Sequence, residues 1–308
     1  MNKVIKIGTR ESQLALWQAN LVKNLLLQNG YSSELVFIKT DGDIDLKTPL
    51  YAMGVQGVFT RSLDTALLNN KIDIAVHSMK DVPIQLPQEI VQAAVLKRGS
   101  YKDILVPKSK EEISLEQLTA VQISLQSPFI IATSSIRRKA QWLNRFPNHT
   151  IENLRGNVNS RLIKLSESNW HGAIFAAAGL ERINLRPLNA IDLDWMLPAP
   201  AQGAIMVTAK ETNEFAIKAC NLLNDFETSI CTKIERDFLK ELYGGCSAPI
   251  SALAQIKNNH VYFRGNILSP NGDKKLEIEE ECTITKIENL GINSAIEIKK
   301  LGATKIIE

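Results

Sequence analysis

Cysteine is scarce in this chain of 308 residues, and long apolar runs are missing. The four cysteines form no C-x-x-C pair and have no histidine at a zinc-binding spacing, so we expect neither a zinc site nor disulfides. No run of about 18 apolar residues occurs, and Arg10 and Glu11 interrupt the N-terminus before a signal-peptide core could form. We therefore expect a cytoplasmic protein with no metal site and no membrane partner.

Charge of one sign is not in large excess either. The chain has 36 basic and 33 acidic residues and a formal net charge of +3, which does not by itself indicate a nucleic-acid partner. Hydrophobic residues make up 44% and charged residues 22%, as in a globular protein. Because 308 residues are more than a single hydrophobic core usually organises, we expect two or three domains.

Apolar periodicity over the first hundred residues predicts alternating strands and helices. Strands are expected at KVIKIGT, LVFIKT and KIDIAVHS, and helices at Arg10–Asn29 and FTRSLDTALLNN. The apolar face of the first helix is predicted to contain Leu14, Trp17, Leu21, Val22 and Leu25. Residues 41–58 mix glycine, aspartate and proline without a period, which is typical of a long loop. This order predicts an open sheet with helices on both faces and ligands at the strands' carboxyl ends.

The pattern restarts around residues 100–105, which predicts a second α/β unit. It closes with LPAPAQGAIMVTA, an extended segment that we expect to return to the first sheet. The remainder predicts one long helical stretch, strands at VYFRGNIL and KKLEIEEEC, and a final helix, giving a small α/β domain with an antiparallel sheet. We expect domain 1 at residues 1–98 plus 196–213, domain 2 at 99–195 and domain 3 at 214–308.

Arginines recur where predicted strands end and helices begin. Hydroxyl groups can cap a helix whose N-terminus attracts anions, and guanidinium groups suit carboxylates. Three segments follow this pattern: Thr133, Ser134, Ser135, Arg137 and Arg138; Arg155, Gly156 and Arg161; and Arg10 with Ser12. The first segment alone fits an ordinary helix cap with solvated arginines equally well. Three such segments converging on one cleft indicate a polyanionic small molecule.

Two further positions have residue types suited to chemistry. Asp81 follows a buried strand in VHSMKDVP. It is either an ion-pair partner of Lys80, or a general acid/base or anion that stabilises a cation formed in a reaction. His77, within the same strand, is interpreted as a core histidine. Cys246 follows Gly244 and Gly245, which indicates a loop that could expose its thiol.

Six separated motifs resemble the porphobilinogen deaminase family: VHSMKDVP, ATSSIRR, LRGNVNSR, AAAGLERI, PAQGAI and GGCSAPI. The resemblance implies two periplasmic-binding-protein-like α/β domains around a cleft and a small third domain that carries the cofactor cysteine. It further implies a dipyrromethane cofactor, joined to Cys246 as a thioether, with Asp81 as the catalytic aspartate. The residues implied to bind the cofactor are Lys80, Ser12, Thr133, Ser134, Ser135, Arg137, Arg138, Arg155, Gly156, Ala201 and Gln202. Those implied to bind substrate are Arg10, Ser12, Arg155 and Arg161.

By this resemblance the protein is a monomer that binds porphobilinogen and the growing polypyrrole. It would join four porphobilinogen molecules, with release of ammonia, into a linear tetrapyrrole. Two positions depart from the family pattern: Gln56 replaces a lysine of the loop, and Lys102 replaces an arginine before Asp103.

Three other interpretations remain to be weighed. A solute-binding protein would share the fold and bind anions in an arginine-rich cleft, but it predicts an export signal and leaves Cys246 unexplained. A nucleic-acid-binding module would need aromatic platforms or a basic run beside the paired arginines. A homologue without catalysis is disfavoured by the presence of Lys80, Asp81 and Cys246.

Overall fold

The computed structural model describes residues 3–39, 60–108, 129–242 and 248–307. The predicted loop at 41–58, with Gln56, and the predicted cofactor attachment site Cys246 lie outside these residues. The described strands form two five-stranded sheets and one three-stranded sheet, which confirms the predicted fold class.

The elements alternate between strand and helix over most of the chain. The strands are β1 (Ile5–Thr9), β2 (Ser33–Phe37), β3 (Ile74–Ser78), β4 (Ile90–Val95), β5 (Asp103–Pro107), β6 (Ile130–Ala132), β7 (Thr150–Glu152), β8 (Gly172–Ala176), β9 (Ile191–Asp192), β10 (Ile205–Lys210), β11 (Ile250–Lys257), β12 (His260–Leu268) and β13 (Lys275–Thr283). The α-helices are α1 (Gln13–Gln28), α2 (Arg61–Leu68), α3 (Ile136–Arg145), α4 (Val158–Glu167), α5 (Ala177–Glu181), α6 (Glu214–Asn221), α7 (Phe226–Glu241), α8 (Leu290–Lys300) and α9 (Thr304–Ile307).

The first sheet has the order β2-β1-β3-β10-β4. Strands β1, β2 and β3 are parallel, and β10 runs antiparallel between β3 and β4. The segment around β10 therefore returns to the first sheet, as predicted. The core on one face of this sheet joins buried side chains of the strands, such as Ile7 and Val207, to helix α1.

Helix α1 confirms the first predicted helix and most of its predicted face, because Val22 is buried and the partly buried Leu21 and Leu25 pack against the same core. Its buried residues are Gln18, Ala19, Val22 and Leu26. Trp17, predicted to be on the apolar face, is 37% exposed, and the guanidinium of Arg182 lies 5.5 Å from its ring centre. The prediction for Trp17 was wrong because its ring contacts Arg182, which directly follows helix α5, and does not pack in the core of the first sheet.

The second sheet has the order β7-β6-β8-β5-β9 and repeats the plan of the first. Strands β6, β7 and β8 are parallel, whereas β5 is antiparallel to β8 and β9. Trp142 of α3 is fully buried against one face of this sheet, with Leu105 and Ile131 in the same cluster. Helices α4 and α5 contribute Leu165 and Leu180 to the core on another face.

The antiparallel strand of each large sheet begins at the edge where the parallel strands end. Asp103, the first residue of β5, is opposite Ala176 at the end of β8, and Ile205, the first residue of β10, is opposite Ser78 at the end of β3. The two chain crossings that lead into β5 and β10 therefore lie at the same edges as the strands' carboxyl ends. In open α/β sheets those edges bind ligands.

The third sheet is antiparallel, in the order β11-β12-β13, and packs against α7 and α8. The single long helical stretch predicted here is two helices, because α6 ends at Asn221 and α7 begins after the capping residue Asp225. Helix α6 packs in the core of the first sheet through Ala216, Ala219 and Cys220. The predicted domain boundaries stay a prediction.

A fully buried carboxylate joins α7 to the chain crossings. Glu235 accepts hydrogen bonds from Arg98 at 2.6 and 3.1 Å, and from the backbone N–H groups of Ala201 at 2.6 Å and Ala254 at 2.8 Å. Arg98 lies in the crossing before β5 and Ala201 in the crossing before β10. Glu235 therefore connects helix α7, which packs against the third sheet, to the two chain crossings between the large sheets.

The Glu235 contact predicts a large loss of stability on substitution. Glu235→Gln removes the charge that balances Arg98 and turns an amide N–H₂ toward backbone donors. Leaving one partner of a buried ion pair uncompensated costs about 3–5 kcal/mol. The free energy of unfolding, measured by urea denaturation, is expected to fall by that amount.

A matched control lies six residues further along α7. Glu241 pairs with Lys299 at 2.7 Å, and about a third of its side chain is exposed. Glu241→Gln is expected to cost about 1 kcal/mol or less, as for other surface pairs. Equal losses in the two variants would contradict the structural role given to Glu235.

Candidate functional site

The carboxyl ends of strands from both large sheets meet across a cleft of about 560 Å³. Among the described residues, seven basic side chains line it, against two acidic ones. The basic residues are Arg10, Lys39, Lys80, Arg138, Arg155, Arg161 and Arg182, and the acidic residues are Glu11 and Asp81. Since the whole chain carries a formal charge of only +3, the cleft concentrates positive charge.

Three of the helices that begin at or beside the cleft have a side-chain cap. Ser12 Oγ accepts from Ala15 N at 3.3 Å at the start of α1, and Ser135 Oγ accepts from Arg138 N at 3.4 Å at the start of α3. Asn157 Oδ1 accepts from Ser160 N at 2.9 Å at the start of α4. Helix N-termini carry a partial positive charge that favours bound anions, so they reinforce the basic side chains.

The other two hydroxyls of the predicted anion-binding segment are also bound to backbone groups. Thr133 Oγ1 accepts from Ser135 N at 3.2 Å, and Ser134 Oγ accepts from Leu154 N at 2.8 Å. These bonds fix the turn between β6 and α3 and tie it to the chain after β7.

Arg137 and Arg138 are buried and share the carboxylate of Asp103. Arg137 Nη2 lies 2.7 Å from Asp103 Oδ2, and Arg138 donates to Oδ1 through Nη2 at 2.7 Å and Nε at 3.1 Å. Burial alone would raise the pKa of Asp103, but the two guanidinium groups outweigh it and hold that pKa below its usual value. Asp103 therefore stays ionised and orients both arginines.

Gln202 connects this ion cluster to Lys80. Its amide nitrogen donates to Asp103 Oδ1 at 2.9 Å and to the carbonyl of Tyr101 at 2.8 Å, while its amide oxygen accepts from Lys80 Nζ at 3.2 Å. Burial lowers the pKa of Lys80 to about 8; Asp81 opposes this shift, and Arg138 and Arg137 add to it. Lys80 is thus mostly protonated at pH 7 and close to its cationic neighbours.

Lys80 and Asp81 belong to a short 3-10 turn, Met79–Asp81, directly after β3. Met79 is buried in a small apolar cluster with Val82, whereas Asp81 is exposed to the cleft. This is the place at the end of a strand where the sequence predicted them.

Arg155, Gly156 and Arg161 lie opposite, on the second sheet's side of the cleft. Gly156 has a φ of +114°, which a side chain rarely adopts, and its carbonyl accepts from Arg161 Nε at 2.8 Å. Burial lowers the pKa of Arg161 to about 10, with the charges of Arg138 and Arg155 adding to the shift and Asp81 opposing it. Desolvation is the main cause of both lowered pKa values, while neighbouring arginines add to each shift and Asp81 opposes it.

The structure brings together eight of the residues predicted for the site. Those that line the cleft are Arg10, Ser12, Lys80, Asp81, Arg138, Arg155, Gly156 and Arg161. Arg137, Thr133, Ala201 and Gln202 are buried, and Ser134 and Ser135 hold the turn before α3. Cys246 lies outside the described residues.

Two important residues were not predicted for the site. Arg182 lines the cleft and donates to the carbonyl of Gly203 at 2.6 Å, and its place in the AAAGLERI motif was an available signal. Asp103 was considered only as a neighbour of Lys102. Lys102 itself points away from the arginine cluster and pairs with Asp192 and Asp194 at 2.8 and 2.7 Å.

His77 and two of the cysteines lie in the protein interior. His77 is buried, and its Nε2 lies 3.3 Å from Thr208 Oγ1; burial, and then Arg10, lower its pKa to about 4. Cys220 and Cys231 are buried and reduced, and burial raises the pKa of each to about 12. These thiols are poor nucleophiles.

None of the helices in the described part of the chain combines the length and apolarity required to cross a bilayer. Within residues 3–39, 60–108, 129–242 and 248–307, no three His, Cys, Asp or Glu residues group as metal ligands.

Two family models cover most of the chain. The porphobilinogen deaminase dipyrromethane cofactor binding domain matches residues 5–218, and the porphobilinogen deaminase C-terminal domain matches residues 229–300. The chain belongs to the porphobilinogen deaminase family.

Curated porphobilinogen deaminases are similar over their full length. The proteins from Chlorobium phaeobacteroides, Chloroherpeton thalassium and Campylobacter hominis are 35%, 36% and 36% identical, over 100% of this chain and 98% of each relative. These matches confirm the family resemblance that the six motifs predicted.

Solved structures give weaker similarities. The methionine binding protein MetQ has a TM-score of 0.43 at 15% identity, covering 73% of this chain and 91% of its own. The periplasmic VFT2 domain of BvgS from Bordetella pertussis has a TM-score of 0.42 at 12% identity, covering 71% and 86%. These scores are too low to support an inference about this chain.

The electrostatics of the cleft predict how Lys80 titrates. In protein prepared without porphobilinogen, amine labelling of Lys80 should show a midpoint near pH 8. Asp81→Asn removes a negative charge that raises this pKa, so the midpoint should move to a lower pH. Mass spectrometry of the labelled peptides measures both, with the exposed Lys71 as an internal reference. A midpoint that stays or rises in Asp81→Asn would show that the two groups do not interact.

Proposed function

We propose that this member of the porphobilinogen deaminase family joins four porphobilinogen molecules into the linear tetrapyrrole hydroxymethylbilane. One ammonia leaves at each addition, and one water is consumed when hydrolysis releases the product. The observation that carries the proposal is a cleft with seven basic and two acidic side chains, one of the acids being Asp81 at the end of a strand. Porphobilinogen carries acetate and propionate groups, so each added ring brings two carboxylates.

The residues present fit a carboxylate-rich cofactor such as dipyrromethane. The pKa values of Lys80, about 8, and Arg161, about 10, are lowered mainly by burial and further by neighbouring cations. Carboxylates placed among these groups would relieve the repulsion, and a ligand that binds only the folded state stabilises it. The bound cofactor supplies the carbon nucleophile to which the first porphobilinogen is joined.

In this proposal the two sides of the cleft divide the carboxylate binding. Arg10, Ser12 and Lys80 bind from the first sheet, and Arg155, Gly156 and Arg161 from the second. Arg138 donates three of its five N–H groups to Asp103 and Ile174 among the described residues, which leaves two for a ligand. Arg137, Thr133, Ser134, Ser135, Ala201 and Gln202 support this surface from beneath.

Asp81 is proposed to stabilise the positive charge that forms on the substrate. The carbon–nitrogen bond of the aminomethyl group breaks, and protonated nitrogen leaves with the bonding pair as ammonia. The methylene carbon of the resulting azafulvenium then accepts an electron pair from a pyrrole α-carbon, which afterwards loses its proton. Because the positive charge is shared with pyrrole nitrogen, a carboxylate facing the N–H group serves both steps.

The finer features of the proposal rest on the family resemblance. Cys246 is proposed to hold dipyrromethane as a thioether, and the protein is proposed to act as a cytoplasmic monomer. The three cysteines in the described residues are buried or half-buried, with pKa values raised chiefly by burial, so none of them is a good alternative nucleophile. A purely solute-binding role is not favoured, because the chain belongs to an enzyme family over its whole length.

Substitution of Asp81 tests the proposed catalytic role. Asp81→Asn keeps the size of the side chain and removes its charge, so ammonia release should fall by about 10²–10⁴-fold. Asp81→Glu should keep part of the activity, since the charge survives at a shifted position. Ammonia release from porphobilinogen and the thermal transition are the measurements.

The thermal transition of Asp81→Asn should stay close to that of the unaltered protein, because the side chain is exposed. Glu277→Gln, in an exposed ion pair with Lys275 on β13, serves as a charge-matched control with full activity. Near-normal turnover in Asp81→Asn would move the catalytic role to another residue.

Intact mass tests the attachment of the cofactor. Protein incubated with porphobilinogen should weigh more than its sequence by two linked pyrrole units, and peptide mapping should place the adduct on Cys246. Cys246→Ser should lose the adduct and the activity together, because an alcohol is a far weaker nucleophile than a thiolate.

Cys282→Ala is the control, since this half-buried thiol should be dispensable for both. Protein made without substrate must first be reconstituted with porphobilinogen. A protein that remains unmodified after this step is not a porphobilinogen-polymerising enzyme.

A further inference from the structure

An arginine of helix α7 holds the backbone of the turn that carries Lys80 and Asp81. Arg236 Nη1 donates to the carbonyl of Val82 at 3.0 Å and reaches that of Met79 at 3.4 Å. Its Nη2 donates to the carbonyl of Pro83 at 2.7 Å and reaches that of Ile84 at 3.3 Å. One guanidinium group therefore contacts four backbone carbonyls within residues 79–84.

This contact needs the shape of arginine. A guanidinium presents five N–H groups in a rigid plane, whereas a lysine ammonium is a compact point charge on a flexible stem. The carbonyls belong to a 3-10 turn and to the chain just after it, and Pro83 has no N–H group to help close a regular structure. Arg236 supplies hydrogen-bond donors to these carbonyls from outside the turn.

Contacts on two sides fix the turn, while the side chains of Lys80 and Asp81 line the cleft. Met79 and Val82 are buried in the apolar cluster behind it, and Val82 N donates to Met79 O at 3.2 Å. Arg236 binds the carbonyls, and Lys80 and Asp81 line the cleft. A change at Arg236 thus moves the backbone on which Asp81 depends without removing a cleft group.

We propose that Arg236 is a positioning residue that fixes the Lys80–Asp81 turn from helix α7. This inference rests on the proposed role of Asp81.

The neighbouring residue on α7 has a different target, so the two can be separated by experiment. Glu235 binds Arg98 and Ala201 in the chain crossings, and Thr228 Oγ1 accepts from Arg98 N at 3.0 Å. These contacts hold α7 against the crossings, whereas Arg236 contacts the turn itself.

Hydrogen–deuterium exchange and steady-state kinetics of the reconstituted holo-protein test the proposal together. In Arg236→Gln, backbone amides of residues 79–84, including that of Val82, should exchange at least about tenfold faster. The kcat for ammonia release should fall at least about tenfold while KM stays within about twofold, because the cleft's basic side chains remain. Arg236→Lys should give intermediate values, since an ammonium reaches fewer carbonyls.

Two controls separate the turn from the rest of the interface. Thr228→Val removes a hydrogen bond between α7 and the crossing before β5, and Arg264→Gln removes an exposed arginine of β12. Both should keep exchange of residues 79–84 and kcat within about twofold of the unaltered protein.

Three results would overturn the proposal: unchanged exchange of residues 79–84 in Arg236→Gln, faster exchange with an unchanged kcat, or an equal response in Thr228→Val. If Arg236→Gln does not fold, the same comparison is made with Arg236→Lys. If the unaltered protein releases no ammonia from porphobilinogen, the proposed function fails, whereas the exchange measurement still decides whether Arg236 holds the turn.

Discussion

The carboxylate of Asp103 organises the cleft, because it is fully buried and must remain balanced by Arg137 and Arg138. Its position follows from topology: β5 runs antiparallel to β8, so its first residue lies where the parallel strands end. From there Asp103 also accepts from Gln202, which binds Lys80 on the opposite side of the cleft. A buried network thus connects the two sides of the cleft. Because a buried charge is costly unless it is paired, Asp103 holds the side chains of Arg137, Arg138 and Gln202 in place.

The cleft above this network has more positive charge than its own acids can balance. Lys80 and Arg161 have lowered pKa values chiefly because the surrounding protein desolvates them, and nearby arginines add to the shift that Asp81 opposes. Helix starts at Ser12, Ser135 and Asn157 add partial positive charge. Such an arrangement gains free energy when several carboxylates enter together, which suits a ligand that grows by two carboxylates per ring.

The sequence predicted the parts of the site that lie at strand ends and follow from apolar periodicity. The place of Arg10, Lys80, Asp81 and Arg155 at the cleft could be predicted because the sequence shows the parallel strands that precede them. The partner of Arg137 and Arg138 was not recognised, because β5 was not predicted and Asp103 precedes an apolar run that has no alternation. The exposed Trp17 could not be foreseen either, since its neighbour Arg182 is 165 residues away in the chain.

In the proposed function the basic cleft binds pyrrole carboxylates while Asp81 faces the pyrrole nitrogens. A crystal structure of the protein after reconstitution with porphobilinogen would test this arrangement. We expect ligand carboxylates against the arginines of both sheets, and an Asp81 oxygen within about 3.2 Å of pyrrole nitrogen. A ligand bound with its carboxylates away from these arginines, or with Asp81 turned to solvent, would show that the proposed arrangement is wrong.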